Sequence, residues 1–141
     1  MRYPGAISAA MLVMSGVGPA GPVRANVCTP GPFVIFFDAG HARVDREGLA
    51  ILDNVVPLAG NCGSDRALIA GYTDTSEDPR LARERIEVVR AYFLAHGFPR
   101  RNIIVRVYGT THQRVATGRG VAERQNRRVE IIYGPAEPVP R

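Results

Sequence analysis

Apolar and polar residues alternate along this chain in blocks that change period, and the change of period predicts the order of elements. Phe33 to Phe37 (FVIFF) is a nearly unbroken apolar run after Pro30-Gly31-Pro32, as expected of a strand buried on both faces. From Asp45, a residue suited to capping a helix, Leu49, Leu52, Val55, Val56 and Leu58 recur at helical spacing until Gly60 supplies a stop. Ala67 to Gly71 (ALIAG) is a second short buried strand that runs into the polar stretch Tyr72-Thr73-Asp74-Thr75-Ser76-Glu77. Asp78 and Pro79 then place a cap and a first-turn proline ahead of a long amphipathic helix reaching about His96, ended by Gly97 and Pro99. Asn102 to Tyr108 (NIIVRVY) and Arg127 to Tyr133 (RRVEIIY) read as two further strands joined by a polar connection from Gly109 to Gln125. Strand and helix alternating twice, then two strands, predict β-α-β units with helices packed on a sheet.

One residue of the second long helix breaks its own pattern. At about 100 degrees per residue, Leu81, Val88, Val89 and Tyr92 share a face, and Arg85 falls in the middle of it, while Arg83, Glu87 and Arg90 fall opposite. A charge on a buried stripe must reach an acid, snorkel to the surface or face a ligand. Asp74 is the acid expected nearby, because the end of a strand and the first turns of the helix that follows share one sheet edge, where open sheets of this kind bind ligands. Two readings stay open at this stage. Asp74 and Arg85 form a structural ion pair, with Asp74 also serving as a turn residue, or they face a zwitterion, the carboxylate taking an ammonium and the guanidinium a carboxylate through a two-pronged fork.

Composition narrows the setting. All 18 basic side chains are arginine, which favours planar contacts to carboxylate or phosphate but is read first as codon preference. Two of them, Arg2 and Arg24, flank the short apolar run Ala6 to Val17 in a stretch without acids, the pattern of an export signal cut after Ala20 or Ala25. That run is shorter than the roughly 20 residues a membrane-spanning helix needs, so the mature chain is expected to carry no transmembrane segment. The organisation read from these features is a signal over residues 1–25, one domain over 26–134 and a Pro-rich tail over 135–141. For an exported chain, Cys28 and Cys62 are expected to form a disulfide; acylation of Cys28 is the competing reading, although Ala25-Asn26-Val27 lacks the usual lipoprotein pattern.

Five segments, in order, resemble the peptidoglycan-associating OmpA-like domain family. These are Phe36-Phe37-Asp38 with Ala42, Gly71-Tyr72-Thr73-Asp74, Leu81-Ala82-Arg83-Glu84-Arg85, Gly97-Phe98-Pro99 and Asn126-Arg127-Arg128-Val129-Glu130-Ile131. The resemblance implies an α+β fold, a β-α-β-α-β-β sandwich with the helices on one mixed sheet. It also implies non-covalent binding of peptidoglycan through the diaminopimelate of the peptide stem, with Asp74 and Arg85 as main contacts and Thr73, Asp38 and Arg128 lining the groove. The location implied is the periplasm or the periplasmic face of the outer membrane of a Gram-negative-type bacterium. The chain departs from the family pattern at Tyr72, Ala82 and Ile86, and its loop from Thr75 to Arg80 is shortened and lacks the family's glycine and asparagine. The alternative implied by that loop is a structural or protein-interaction domain of the same fold, partnered by other envelope proteins, whose ligand site has decayed.

Other chemistry finds little support. His41, His96 and His112 are scattered without ligand spacing, so no metal site is expected. Gly118-Arg119-Gly120 neither follows a strand nor opens a helix, as a phosphate loop would. No nucleophile and base pair up in the sequence, and neither enzyme activity nor a cofactor is expected. Arg100-Arg101, Arg119 and Arg127-Arg128 lie in separate elements without interleaved aromatics, which argues against a nucleic-acid surface.

Overall fold

The computed structural model describes residues 30–62 and 66–134. The export signal, Cys28 and the Pro-rich tail lie outside the described residues, and with Cys28 so does the expected disulfide.

Four strands and two α-helices follow one another as β1 (Phe33–Phe36), α1 (Arg46–Val55), β2 (Ala67–Tyr72), α2 (Leu81–Ala95), β3 (Ile103–Gly109) and β4 (Arg128–Tyr133). Short 3-10 turns at Val56–Cys62, Arg100–Asn102 and Arg124–Asn126 complete the chain. The sheet order is β1-β4-β2-β3, with β2 parallel to β3 and β4 antiparallel to both β1 and β2. β4 therefore slots between two strands that run in the same direction, and the ends of β1 and β2, together with the start of β4, meet at one edge. This is the α+β arrangement expected from the resemblance, two helices on a mixed four-stranded sheet.

The period of two along the strands decides what faces the helices. Ile69 pairs with Ile131 and Val105, and Ile131 in turn with Phe33, placing apolar residues across the covered face. Ile35, Leu52, Ile86, Val89, Phe93, Val129 and Ile131 are inaccessible to solvent there. Each such side chain contributes roughly 1.5–3 kcal/mol relative to an exposed one, which is ample for a core of this size. Tyr133 adds its ring to the cluster, and its hydroxyl donates to the Val55 carbonyl at 2.8 Å.

Both helices begin close to where the pattern placed them, with informative offsets. Asp45 caps α1 through its Oδ1, which accepts from the Gly48 amide at 2.8 Å. Asp78 instead ties a turn one step earlier, its Oδ1 accepting from the Arg80 amide at 2.9 Å, and α2 starts at Leu81. The buried stripe of α2 is Ala82, Arg85, Ile86, Val89 and Phe93. It is rotated from the expected face, so that Val88 is exposed while Arg85 stays inside. At the other end, Gly97 has φ +82°, and Phe98 donates its amide to the Phe93 carbonyl at 2.9 Å while their rings meet edge-on.

The rotation follows from how closely α2 approaches β2. A Cβ at Gly71 would lie 2.4 Å from the Ala82 carbonyl oxygen and 2.7 Å from two Ile86 side-chain carbons, so the helix rests on bare backbone. Gly71→Ala is accordingly expected to push α2 off the sheet and cost about 1–3 kcal/mol. Urea denaturation of the two proteins measures this, and an unchanged midpoint would show that the contact carries no weight.

Candidate functional site

The edge where β1 and β2 end and β4 begins collects most of the polar groups singled out in the sequence, but it pairs them in an unexpected way. Arg85 enters from the second turn of α2 and is fully buried. Its Nε donates to the His41 carbonyl at 2.9 Å, Nη1 to the Tyr72 carbonyl at 3.3 Å and Nη2 to the Asp38 carbonyl at 3.2 Å. The two remaining protons fork onto Glu77, at 2.5 Å to Oε2 and 2.9 Å to Oε1. All five guanidinium donors are thereby used. The group lies over the Phe37 ring at 5.1 Å, and the Glu77 Oε1 also accepts from the Gly40 amide at 3.1 Å.

Asp74 is equally buried and belongs to a second network. Its Oδ1 accepts from the Ser76 amide, the Ser76 hydroxyl and the Glu77 amide at 2.9, 2.8 and 3.1 Å. This is the turn-forming role open to aspartate. Its Oδ2 accepts from the Glu123 amide at 2.9 Å and from Arg127 Nη1 at 2.8 Å. Burial alone would raise the pKa of this carboxyl, but the bonds from Arg127, Glu123 and Ser76 outweigh it and hold the pKa below the ordinary aspartate value. Asp74 and Arg85 thus share an edge without pairing with each other. Glu77 joins the two networks, its amide bonded to Asp74 and its carboxylate to Arg85.

The other residues expected in the groove are placed in three different ways. Asp38 is exposed, and its carbonyl rather than its carboxylate is what Arg85 holds. Thr73 is buried beside Asp74, its amide bonded to the Gly109 carbonyl at 2.8 Å; its hydroxyl has no hydrogen-bond partner among the described residues. Arg128 points to the helix-free face of the sheet, where it lies 3.7 Å over the Tyr72 ring and bonds Glu130 Oε1 at 2.7 Å. Tyr72 stacks in turn on Tyr108, and burial together with the Glu130 charge pushes its hydroxyl pKa up. Glu77 and Arg127 are the site residues the sequence reading missed. For Arg127 a signal existed, since neighbouring residues of a strand face opposite ways and only one of the two arginines can turn toward Asp74.

A cleft of about 670 Å³ opens over this edge, lined by Ala39, Gly40, Ser76, Glu77, Arg80 and Glu84 among others. Glu77 forms part of its wall, and Arg85 lies behind Glu77. Among the described residues there is no cluster of three or more His, Cys, Asp or Glu able to hold a metal, and no helix long and apolar enough to cross a membrane.

Comparison with known proteins agrees with this architecture. The model of the OmpA family matches residues 36–127. An outer membrane protein of Gluconacetobacter diazotrophicus is 31% identical over 110 residues, covering 71% of this chain, while the chain spans 29% of that protein's length. The peptidoglycan-associated lipoprotein from Burkholderia pseudomallei superposes with a TM-score of 0.63 at 19% identity, covering 79% of this chain and 95% of that one. The C-terminal domain of Helicobacter pylori MotB gives 0.61 at 18% identity, covering 74% and 84%.

The Asp74 network makes a pH-dependent prediction. A carboxyl whose pKa is lower folded than unfolded contributes its full stabilisation above about pH 4 and loses it as the pH falls through the folded value. Asp74→Asn would set an amide NH2 against the Glu123 amide or the Arg127 guanidinium. It is expected to cost on the order of 2–4 kcal/mol at pH 7, and the gap to wild type should narrow in acid. Urea titrations at pH 7 and pH 3 check this, and a gap independent of pH would rule the ionised network out as its source.

Proposed function

This chain belongs to the OmpA family, and we propose on that premise that it binds peptidoglycan non-covalently through the diaminopimelate of the peptide stem. Its place would be the periplasmic side of the outer membrane, and its action would be anchoring rather than catalysis. The observation that carries the reading is the Arg85 fork, a buried guanidinium fixed by three backbone carbonyls with two parallel donors directed at a carboxylate in the wall of an open cleft. Such a group is a preorganised receptor for a ligand carboxylate. The partner acid is Asp74, and for it to take the ligand's ammonium, that ammonium must replace Arg127 at Oδ2, on the side where the Arg127 side chain is 11% exposed.

A second reading is favoured by one observation, that every donor of Arg85 and both oxygens of Asp74 already have partners within the chain. On that reading the fold is kept, the ionic groups are structural, and the domain engages envelope proteins instead.

Co-sedimentation with purified sacculi separates the two. The wild-type chain is expected in the pellet. Arg85→Lys keeps the charge but cannot reproduce the planar fork, and should lower the bound fraction about tenfold while circular dichroism shows a folded protein. A wild-type chain that stays in the supernatant would remove the binding reading and leave the second.

A further inference from the structure

Three of the five Arg85 donors go to backbone carbonyls, two in the loop after β1 and one at the end of β2, and those bonds fix the guanidinium in place. The two that remain, one on each Nη, lie side by side and grip Glu77 as they would grip a free carboxylate. Glu77 is not part of a strand or helix. It sits in the turn between β2 and α2, its backbone held by the Asp74 bond to its amide, and it is among the residues lining the cleft, its side chain 5% exposed, while Arg85 is fully buried and does not line it. Swinging that side chain outward would break the two bonds to Arg85 and the one from the Gly40 amide, and would leave the turn itself intact.

We propose that Glu77 is a built-in occupant of the carboxylate position on Arg85, so that the closed site described above is a self-inhibited state and a ligand binds by displacing the Glu77 side chain. This rests on the binding reading and concerns its regulation. Displacement has two consequences. The affinity for ligand is reduced by the fraction of molecules in which Glu77 is released, and the released carboxylate remains in a cleft that also carries Glu84 and the Asp78–Arg80 ion pair, a lining with net negative charge that faces a cationic group on the incoming molecule. The site therefore selects against simple carboxylates, which would meet that repulsion, and for a carboxylate carried on the same small molecule as an ammonium. In the closed state and in the ligand-bound state alike the buried guanidinium has a carboxylate counter-charge; the released intermediate lacks one, which keeps its population low.

The test uses the full chain and the tripeptide L-alanyl-γ-D-glutamyl-meso-diaminopimelate, titrated by calorimetry into wild type and Glu77→Gln. Glutamine keeps the length and an acceptor for Gly40 but loses the charge that holds Arg85, so affinity should rise about tenfold. A second measurement needs no variant. In nitrogen-15 spectra of the wild type, the Gly40 amide should shift on saturation as its Glu77 acceptor leaves. Equal affinity of the two proteins, or a Gly40 signal unmoved at saturation, overturns the displacement and leaves the binding reading standing. Failure of both proteins to bind at millimolar tripeptide overturns the binding reading and the displacement with it.

Discussion

A guanidinium with no access to solvent has to find five acceptors inside the protein, and in this fold the search for them organises a whole edge. Arg85 draws the carbonyls of Asp38 and His41 from the loop after β1, the carbonyl of Tyr72 from the end of β2 and the carboxylate of Glu77 from the turn before α2. The loop after β1 belongs to no ladder or helix, and within it the His41 amide also donates to the Asp38 carbonyl at 3.2 Å. Removing the arginine would therefore take a donor from backbone carbonyls in two segments and leave the buried Glu77 carboxylate without its counter-charge. The energetic argument is one of consequences rather than of net gain, since a buried ion pair is weak evidence of stability, whereas breaking one partner of it is costly.

The Asp74 network does the same for the remaining connection. The stretch from β3 to β4 has little regular structure of its own, and it is tied to the site through Glu123 and Arg127. Thr75 adds bonds to the Gly118 carbonyl at 2.6 Å and to the Val121 amide at 3.0 Å. Glu77 is the hinge between the two networks, with its amide in one and its carboxylate in the other. The loop from Thr75 to Arg80 thus carries the acid that reaches the arginine.

The OmpA frame sets the sheet, the helices and the edge, and within it Arg85 and Asp74 are held in internal ion pairs with Glu77 and Arg127 rather than displayed. Storage of this kind keeps the charges ionised and oriented without exposing them, and any partner must offer better contacts than Glu77 and Arg127 already give. The helix-free face of the sheet, with Arg128 laid on Tyr72 and Tyr72 on Tyr108, is a separate assembly and does not join this chemistry.

The sequence by itself determined the order of the elements, because runs of apolar residues with a period near two or near 3.6 commit the chain to strand or helix wherever it folds. It also marked Arg85 as a charge on a buried stripe, and Asp74 as an acid at the same edge, since both follow from local spacing. Only the tertiary structure decided which acid meets which base. The insertion of β4 between β1 and β2 brings Arg127 to Asp74, and the close rest of α2 on Gly71 rotates the helix enough to expose Val88 and to carry Arg85 to Glu77. Pairings of that kind depend on distances between segments far apart in sequence, to a tolerance of about an ångström in hydrogen-bond length, and no local pattern encodes them.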